Sequence, residues 1–564
     1  MKHKLLGALS ILGIMALVSC SSAKNSGDNS NTGDDISGNT TSIELEEDNI
    51  NTDFKLVDEN GIQIYGVNNI YTISSAGVYT ASGKLESGQI YVDAADEDVE
   101  LDLDNASISS ALLSPIYVND CNDFTLKSVK DQTSYIYDNR TTDYSNSTDD
   151  TNGTGAVYVK NGDLKIKGKG SLLVTSAANS GIHGKDNVSI KNVTMLVKAV
   201  NNGIKGNDKV TIEENPKLGI VAGNNGITTS NSELGSKSQH GYIYINGGEI
   251  TINSYGDGID AAYAVEIGTS TDSNGIVYEP VLDVYTNIYS SYAQTSVTNT
   301  SNKYSPGPGT MPGQPGGGFD GGGMEGGKAA EKADQSAKAI KANEAINITA
   351  GKIFTYTYDD GLHTNYDEAL ENGNMPSAAI TISGGTLEMK ASDDAIHSDK
   401  SLTITGGTIY VAEAHEGIEG KTINIEGGDI TVFATDDGVN ASTSINITGG
   451  RLDVNMAASG DVDGIDSNGT LTISGGVVIT RGPNSEMAAP LDADGTIKLS
   501  GGIIIVLGYA PRNATVSIQK TTSTNGLTKG DHTVTVGSET ITYSNSNAYS
   551  GSTTVYANAS ATIK

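Results

Sequence analysis

Three features of the sequence predict an all-β chain that coils as a right-handed parallel β-helix with a cap at each end. A unit of roughly 21–26 residues repeats along most of its length. Within each copy apolar and polar residues alternate, as at Leu402 and Ile404 and again at Ile409 and Val411. Between the two alternating runs stands a glycine pair such as Gly406-Gly407. Alternation with period two sends one set of side chains to one face of a strand. The glycine pair marks a turn that needs positive φ. No copy is long enough, or has the right period, for a helix. A unit this short cannot bury its apolar face alone, so copies must stack, with strands about 4.8 Å apart. A WD-type propeller would need blades of roughly 40 residues.

The segments follow in chain order. Residues 1–19 read as a lipoprotein signal peptide: Lys2, His3 and Lys4 are basic, and Leu5 to Val18 is apolar but too short to span a bilayer. Leu17-Val18-Ser19-Cys20 resembles the lipobox of bacterial lipoproteins, which implies cleavage before Cys20 and a lipid on its sulfur. Residues 20–52, rich in Ser, Asn, Gly and Asp, read as a flexible tether. Residues 53–155 are irregular and are expected to form an N-terminal cap region. The repeats fill 156–508, broken near 305–327 by a Gly/Pro-rich stretch that reads as an inserted loop, since repeats continue on both sides. Residues 509–564 read as a C-terminal β cap that blunts the open end. Cys121 has no partner for an internal disulfide and reads as a small buried hydrophobe. An exported monomer follows, facing the cell surface and touching the membrane only through its lipid anchor.

The formal net charge of −33 disfavours nucleic acid as a partner and favours divalent cations. Aligned on a small residue of the polar turn, the repeats form columns. The position before it reads Ser180, Asn202, Asn225, Asp257, Lys338, Asp360, Asp394, Glu416, Asp437, Asp463; two places after it stand His183, Lys205, Thr228, Asp260, Lys341, His363, His397, Glu419, Asn440, Asp466. Two carboxylates roughly 5 Å apart repel by about 3 kcal/mol at an effective dielectric near 20. A hard divalent cation would cancel that repulsion, which points to calcium on Asp257, Asp260, Asp360, Asp393, Asp394, Glu416, Glu419, Asp436, Asp437, Asp461, Asp463 and Asp466. The competing readings are a solvated acidic edge and, through His363 and His397, a transition metal. Lys338 and Lys341 read as built-in counter-ions.

Beside the strand that follows the glycine pair, an outward column holds Thr251, Phe354, Glu388, Tyr410, Thr431 and Asp453; two places on come Asn253, Tyr356, Lys390, Ala412, Phe433 and Asn455. Sugar rings stack on aromatic faces, so Phe354, Tyr356, Lys390, Tyr410 and Phe433 are the candidate carbohydrate-binding residues. Strand propensity alone also favours aromatics.

The Ile-x-Ile-x-Gly-Gly turns, the Asp359-Asp360-Gly361-Leu362-His363 and Asp393-Asp394-Ala395-Ile396-His397 turns, and Ala337-Lys338-Ala339-Ile340-Lys341-Ala342 together resemble a bacterial carbohydrate-binding β-helix family. That family is found on the surfaces of cellulolytic clostridia and is structurally similar to pectate lyases. The resemblance implies binding of cellulose and acidic pectic polymers with bound calcium, and no catalytic residue. The alternatives are a calcium-dependent polysaccharide lyase, with Lys338 or Arg451 as base, and a surface adhesin with no glycan site.

Overall fold

Alternating apolar residues become strands throughout. The computed structural model describes residues 50–141, 152–231, 240–287, 336–366, 373–511 and 513–564. The signal peptide, Cys20, most of the tether and the 305–327 stretch lie outside them. The described residues are all-β, with no α-helix among them.

Three interleaved parallel ladders run along the chain, each strand pairing with its counterpart one repeat ahead. One joins Ile116–Asp120, Gly155–Val159, Ser180–Gly184, Ile204–Gly206, Ile227–Thr228, Ile259–Ala261, Ile340–Ala342 and Leu362–Thr364. A second contains Ala264–Ile267, Ala345–Ile348 and Ala379–Ile382. A third contains Val281–Thr286, Lys352–Thr357, Thr386–Ala391, Thr408–Glu413, Asp429–Phe433 and Arg451–Asn455. Register is set by the apolar alternation, because a slip of one residue would turn every core side chain outward. In the second ladder Ile245, Ile267, Ile348, Ile382, Ile404, Ile425, Ile447 and Ile473 stand in one row. All of them are buried.

The turn glycines have two different reasons to be glycine. Gly428 sits at φ 90°. Its neighbour Gly427 has no room for a side chain, since a Cβ there would lie 2.2 Å from the Thr405 carbonyl oxygen of the previous repeat. Cys121 is buried as expected, and burial together with Asp120 pushes its thiol up to about 12.

The ends differ from each other. Parallel pairing reaches back into the region expected as an N-terminal cap: Ile70–Ile73 pairs with Gln89–Asp93, and Gly77–Leu85 with Val99–Ser110. Lys55–Asp58, antiparallel to both Gly77–Leu85 and Gln63–Ile64, departs from the pattern at that end. At the other end Ser552–Ala557 runs antiparallel to Ile503–Gly508, covering an edge that would otherwise invite another strand. Gly530–Val536, Glu539–Asn545 and Ala561–Ile563 add a separate antiparallel sheet. Arg481, fully buried, fastens this cap to the ladders. Its guanidinium donates to Asp453 Oδ1 at 2.5 Å and the Val454 carbonyl at 3.1 Å on one side, and to Asn545 Oδ1 at 2.8 Å and the Ser544 carbonyl at 3.0 Å on the other.

Candidate functional site

The turn column is continuous in the structure. His183, Lys205, Thr228, Asp260, Lys341, His363, His397, Glu419, Asn440 and Asp466 are successive register partners. Sequence alignment missed its beginning, Tyr91, Tyr117 and Tyr158, where the repeats lack glycine pairs. Ring centroids there are 5.6 Å and 5.3 Å apart, and Tyr158 meets His183 at 5.4 Å.

The position before the small turn residue has a structural task. Its side-chain oxygen accepts the backbone N–H of the equivalent residue one repeat later. Asn202 accepts from Asn225 at 3.3 Å, Asn225 from Asp257 at 3.0 Å, and Asp257 from Lys338 at 2.8 Å. Asp360 accepts from Asp394 at 3.1 Å and Asp437 from Asp463 at 2.9 Å. Asn and Asp interchange here because either supplies the same short acceptor.

Much of the acidic column is neutralised from within. Asp257, Asp360 and Asp394 are buried. Lys338 Nζ lies 2.5 Å from Asp359 and 3.2 Å from Asp360, and Lys341 Nζ lies 3.8 Å from Asp257. Burial opposes the charge on Lys338, but Asp360 and Asp359 outweigh it and hold the ammonium protonated. His363 Nδ1 is 2.6 Å from Asp360 Oδ2. His397 Nδ1 is 2.7 Å from Asp394 and 3.0 Å from Glu419, while its Nε2 is 3.2 Å from Asp399. Burial works against an imidazolium there, yet the three carboxylates raise its proton affinity well above the usual range. The two histidine rings are 4.7 Å apart.

The expected calcium ligands divide accordingly. Among the described residues, four groups bring three donors within 4.8 Å: Asp360, His363 and His397; Asp394, His397 and Glu419; His415, Glu416 and Asp436; Asp359, Asp360 and Asp393. Asp257, Asp260, Asp437, Asp461, Asp463 and Asp466 join none of these groups. The physical reason is prior engagement. Asp257 is held by Ser336, the Lys338 amide and Lys341. Asp463 accepts from the Ala489 amide, and Asp461 is exposed in the loop before the column. Histidine enters three of the groups, and Lys338 already occupies the all-oxygen one. His415 and Asp359 were not expected as donors. The remaining uncompensated acids lie toward the C-terminal end. Burial and then Glu419 push Glu416 up to about 8, burial and Asp436 push Asp437 up to about 6, and burial and Asp437 push Asp463 up to about 7.

These raised values fix a pH dependence. At these three groups the folded chain holds protons that the unfolded chain has lost, so in chelator their contribution to stability is greatest near pH 4–5 and falls as pH rises through each folded value, while His183, which burial lowers to about 3, offsets part of it below about pH 6.5. With solvent screening of partly buried groups, the loss between pH 5 and 8 is about 2–4 kcal/mol. Urea titration in EDTA at the two pH values checks it; equal or greater stability at pH 8 would contradict this account.

The aromatic face is on the third ladder. Thr251, Asp283, Phe354, Glu388, Tyr410, Thr431 and Asp453 form one row. Asn253, Tyr285, Tyr356 and Lys390 form the next. Tyr285 lies 5.7 Å from Phe354, and Tyr410 lies 5.9 Å from Phe433 at 76°, centroid to centroid. Tyr410 is 43% exposed and the other rings are half-buried. Three placements differ from the sequence columns. Asp283 and Tyr285 belong to the rows but were missed, because a long stretch separates them from the next repeat. A bulge pairs Lys390 with Glu413 and takes Ala412 out of register. Asp453 and Asn455 are buried beneath the cap rather than open. Arg451 is pinned there too, donating to Asp453 at 2.8 Å and the Thr542 carbonyl at 3.2 Å.

A family model described as "Carbohydrate-binding domain-containing protein" matches residues 67–379, 376–417 and 411–564. A curated relative from Acetivibrio thermocellus with the same description is 31% identical over 126 residues, covering 22% of this chain and 43% of the relative. The match thus spans less than half of that relative. Among solved structures, the polysaccharide lyase-like protein from C. thermocellum, determined as a gadolinium derivative, is 27% identical, with 40% of this chain and 84% of that chain covered and a TM-score of 0.35.

Proposed function

The chain belongs to the family of carbohydrate-binding domain-containing proteins, and from that premise we propose that it holds an extended polysaccharide, cellulose or an acidic pectic polymer, without cleaving it. The observation that carries this reading is two adjacent rows of rings on one outward face, Phe354 and Tyr410 in one and Tyr285 and Tyr356 in the other. Aromatic rings at successive rungs suit a polymer of stacked sugar faces. We infer that the all-β body is a right-handed parallel β-helix, which offers such a polymer a long, straight surface. The support is the three interleaved parallel ladders, each rung one repeat from the next.

The lyase alternative needs a deprotonated base beside the sugar. Lys338 is locked between Asp359 and Asp360, and Arg451 is tied to the cap. Neither side chain is free to take a proton. The adhesin alternative leaves the aromatic rows without a task.

Calcium enters the proposal at the C-terminal turns. Glu416 and Asp436, which lie together with His415, would hold it with hard oxygen donors, and a sugar carboxylate would complete its shell. Cys20, at the end of an apolar segment, would carry the lipid that anchors the exported protein at the cell surface.

Retention on insoluble cellulose and on polygalacturonate tests the reading, with and without EDTA. Both polymers should retain the protein, chelator should weaken polygalacturonate retention more than cellulose retention, and no unsaturated uronate should absorb in the supernatant. Release of unsaturated products would make the protein a lyase; failure to retain it on either polymer would leave the adhesin. Labelled lipid on the wild type but not on Cys20→Ala checks the anchor.

A further inference from the structure

On the aromatic face Lys198, like Lys390, meets no carboxylate among the described residues. Lys198 pairs in register with Val221, Val221 with Asn253, and Asn253 with Tyr285. It therefore stands three rungs, roughly 14 Å, from Tyr285, in the row that carries Tyr285, Tyr356 and Lys390. Its strand neighbour Val197 is buried in the core, which sends Lys198 to the outer side. In the adjacent row Gly219 separates Leu196 from Thr251 and contributes no side chain.

The chain has 68 acidic residues against 35 lysines and arginines, so a lysine has many possible partners. Lys165, Lys191, Lys217, Lys338 and Lys341 each meet a carboxylate. Lys198 meets none among the described residues. It is half-buried, and burial alone lowers its proton affinity. A partly desolvated ammonium without a counter-charge is unfavourable until an anion arrives.

We propose that Lys198 is a subsite for the carboxylate of an acidic sugar, in a polymer whose neighbouring units cross Asn253 and stack on Tyr285. The inference rests on the reading of this face as the glycan surface, and adds a direct contact that needs no bridging cation. It also gives the face a direction, with an anionic sugar toward Lys198 and neutral stacking toward Tyr410.

The test uses the whole protein in EDTA, so that no calcium bridge contributes. Retention is compared on polygalacturonate, its methyl-esterified form and cellulose for wild type, Lys198→Gln and Lys198→Arg. Lys198→Gln should weaken polygalacturonate binding roughly tenfold, the value of one hydrogen bond to a charged group, and leave the other two polymers unchanged. Lys198→Arg should keep most of the wild-type binding. Wild-type affinity of Lys198→Gln for polygalacturonate would overturn the proposal, as would an equal loss on all three polymers, which would mean a packing role. The two levels of the argument separate cleanly. A wild type that binds cellulose while Lys198→Gln has no effect defeats the subsite alone. A wild type that binds nothing defeats the glycan face with it.

Discussion

Replacing Arg481 with Met should lower stability by about 3–5 kcal/mol, the largest single effect expected in this chain. The side chain is fully buried and bridges the last parallel rungs to the antiparallel cap. Its loss strands the Asp453 carboxylate, which is itself buried, and removes the donor for the Val454 and Ser544 carbonyls and for Asn545. Arg451 would still reach Asp453 Oδ2 at 2.8 Å, and the oxygen that Arg481 serves would keep only the neutral Asn455 amide at 3.2 Å. The double variant Asp453→Asn with Arg481→Met should recover part of the loss, since it removes the orphaned charge as well. Chemical denaturation measures both. A change below about 1 kcal/mol in the single variant would show that cap and ladders are joined by the apolar contacts alone.

Removing Phe354 and Tyr410 together should weaken polysaccharide retention by about 5- to 150-fold. The range comes from about 0.5–1.5 kcal/mol for each ring contact. Stability should change by no more than about 1 kcal/mol, because Tyr410 is 43% exposed and Phe354 lies on the same outward row. The single variants should each lose less than half of the effect on a logarithmic scale, since a polymer bound at several rungs loses avidity when contacts vanish in sequence. A double variant that binds like wild type would move the glycan surface elsewhere on the chain.

Strands and their register were legible because apolar alternation recurs from copy to copy, broken in most of the later ones by a glycine pair. Aligning copies on the turn residue therefore put His363, His397, Glu419, Asn440 and Asp466 in one column, and the pairings agree residue by residue. The misses have specific causes. Tyr285 sits just before the stretch that separates it from its partner Tyr356, so no alignment of adjacent copies could place it. Asp453 and Asn455 looked exposed because the residues that cover them are distant in sequence; Arg481 meets Asn545 across 64 positions. The acidic column looked like one set of metal ligands because sequence reports charge but not engagement. Asp257 and Asp463 spend oxygen atoms on backbone amides of the next repeat, which no composition argument reveals.

Those amide contacts also give the array a polarity. Asn202, Asn225, Asp257, Asp360 and Asp437 each offer an acceptor forward, to a donor that arrives later in the chain. A finished repeat thus presents side-chain acceptors to the next and receives main-chain carbonyls in return: Gly203, Gly226 and Gly258 donate their amides to the Asn225, Asp257 and Lys338 carbonyls one repeat later. Growth from the amino terminus meets such an acceptor at these five turns, in the order in which a ribosome delivers the chain. A fragment lacking its carboxyl-terminal repeats would leave amides such as that of Gly203, Gly226 or Gly258 without the carbonyl of the following repeat, beside unused side-chain oxygens. A fragment lacking its amino-terminal repeats would begin on a backbone amide with no acceptor. Either truncation thus exposes backbone amides, and the two differ in whether the lost partner is a main-chain carbonyl or a side-chain oxygen.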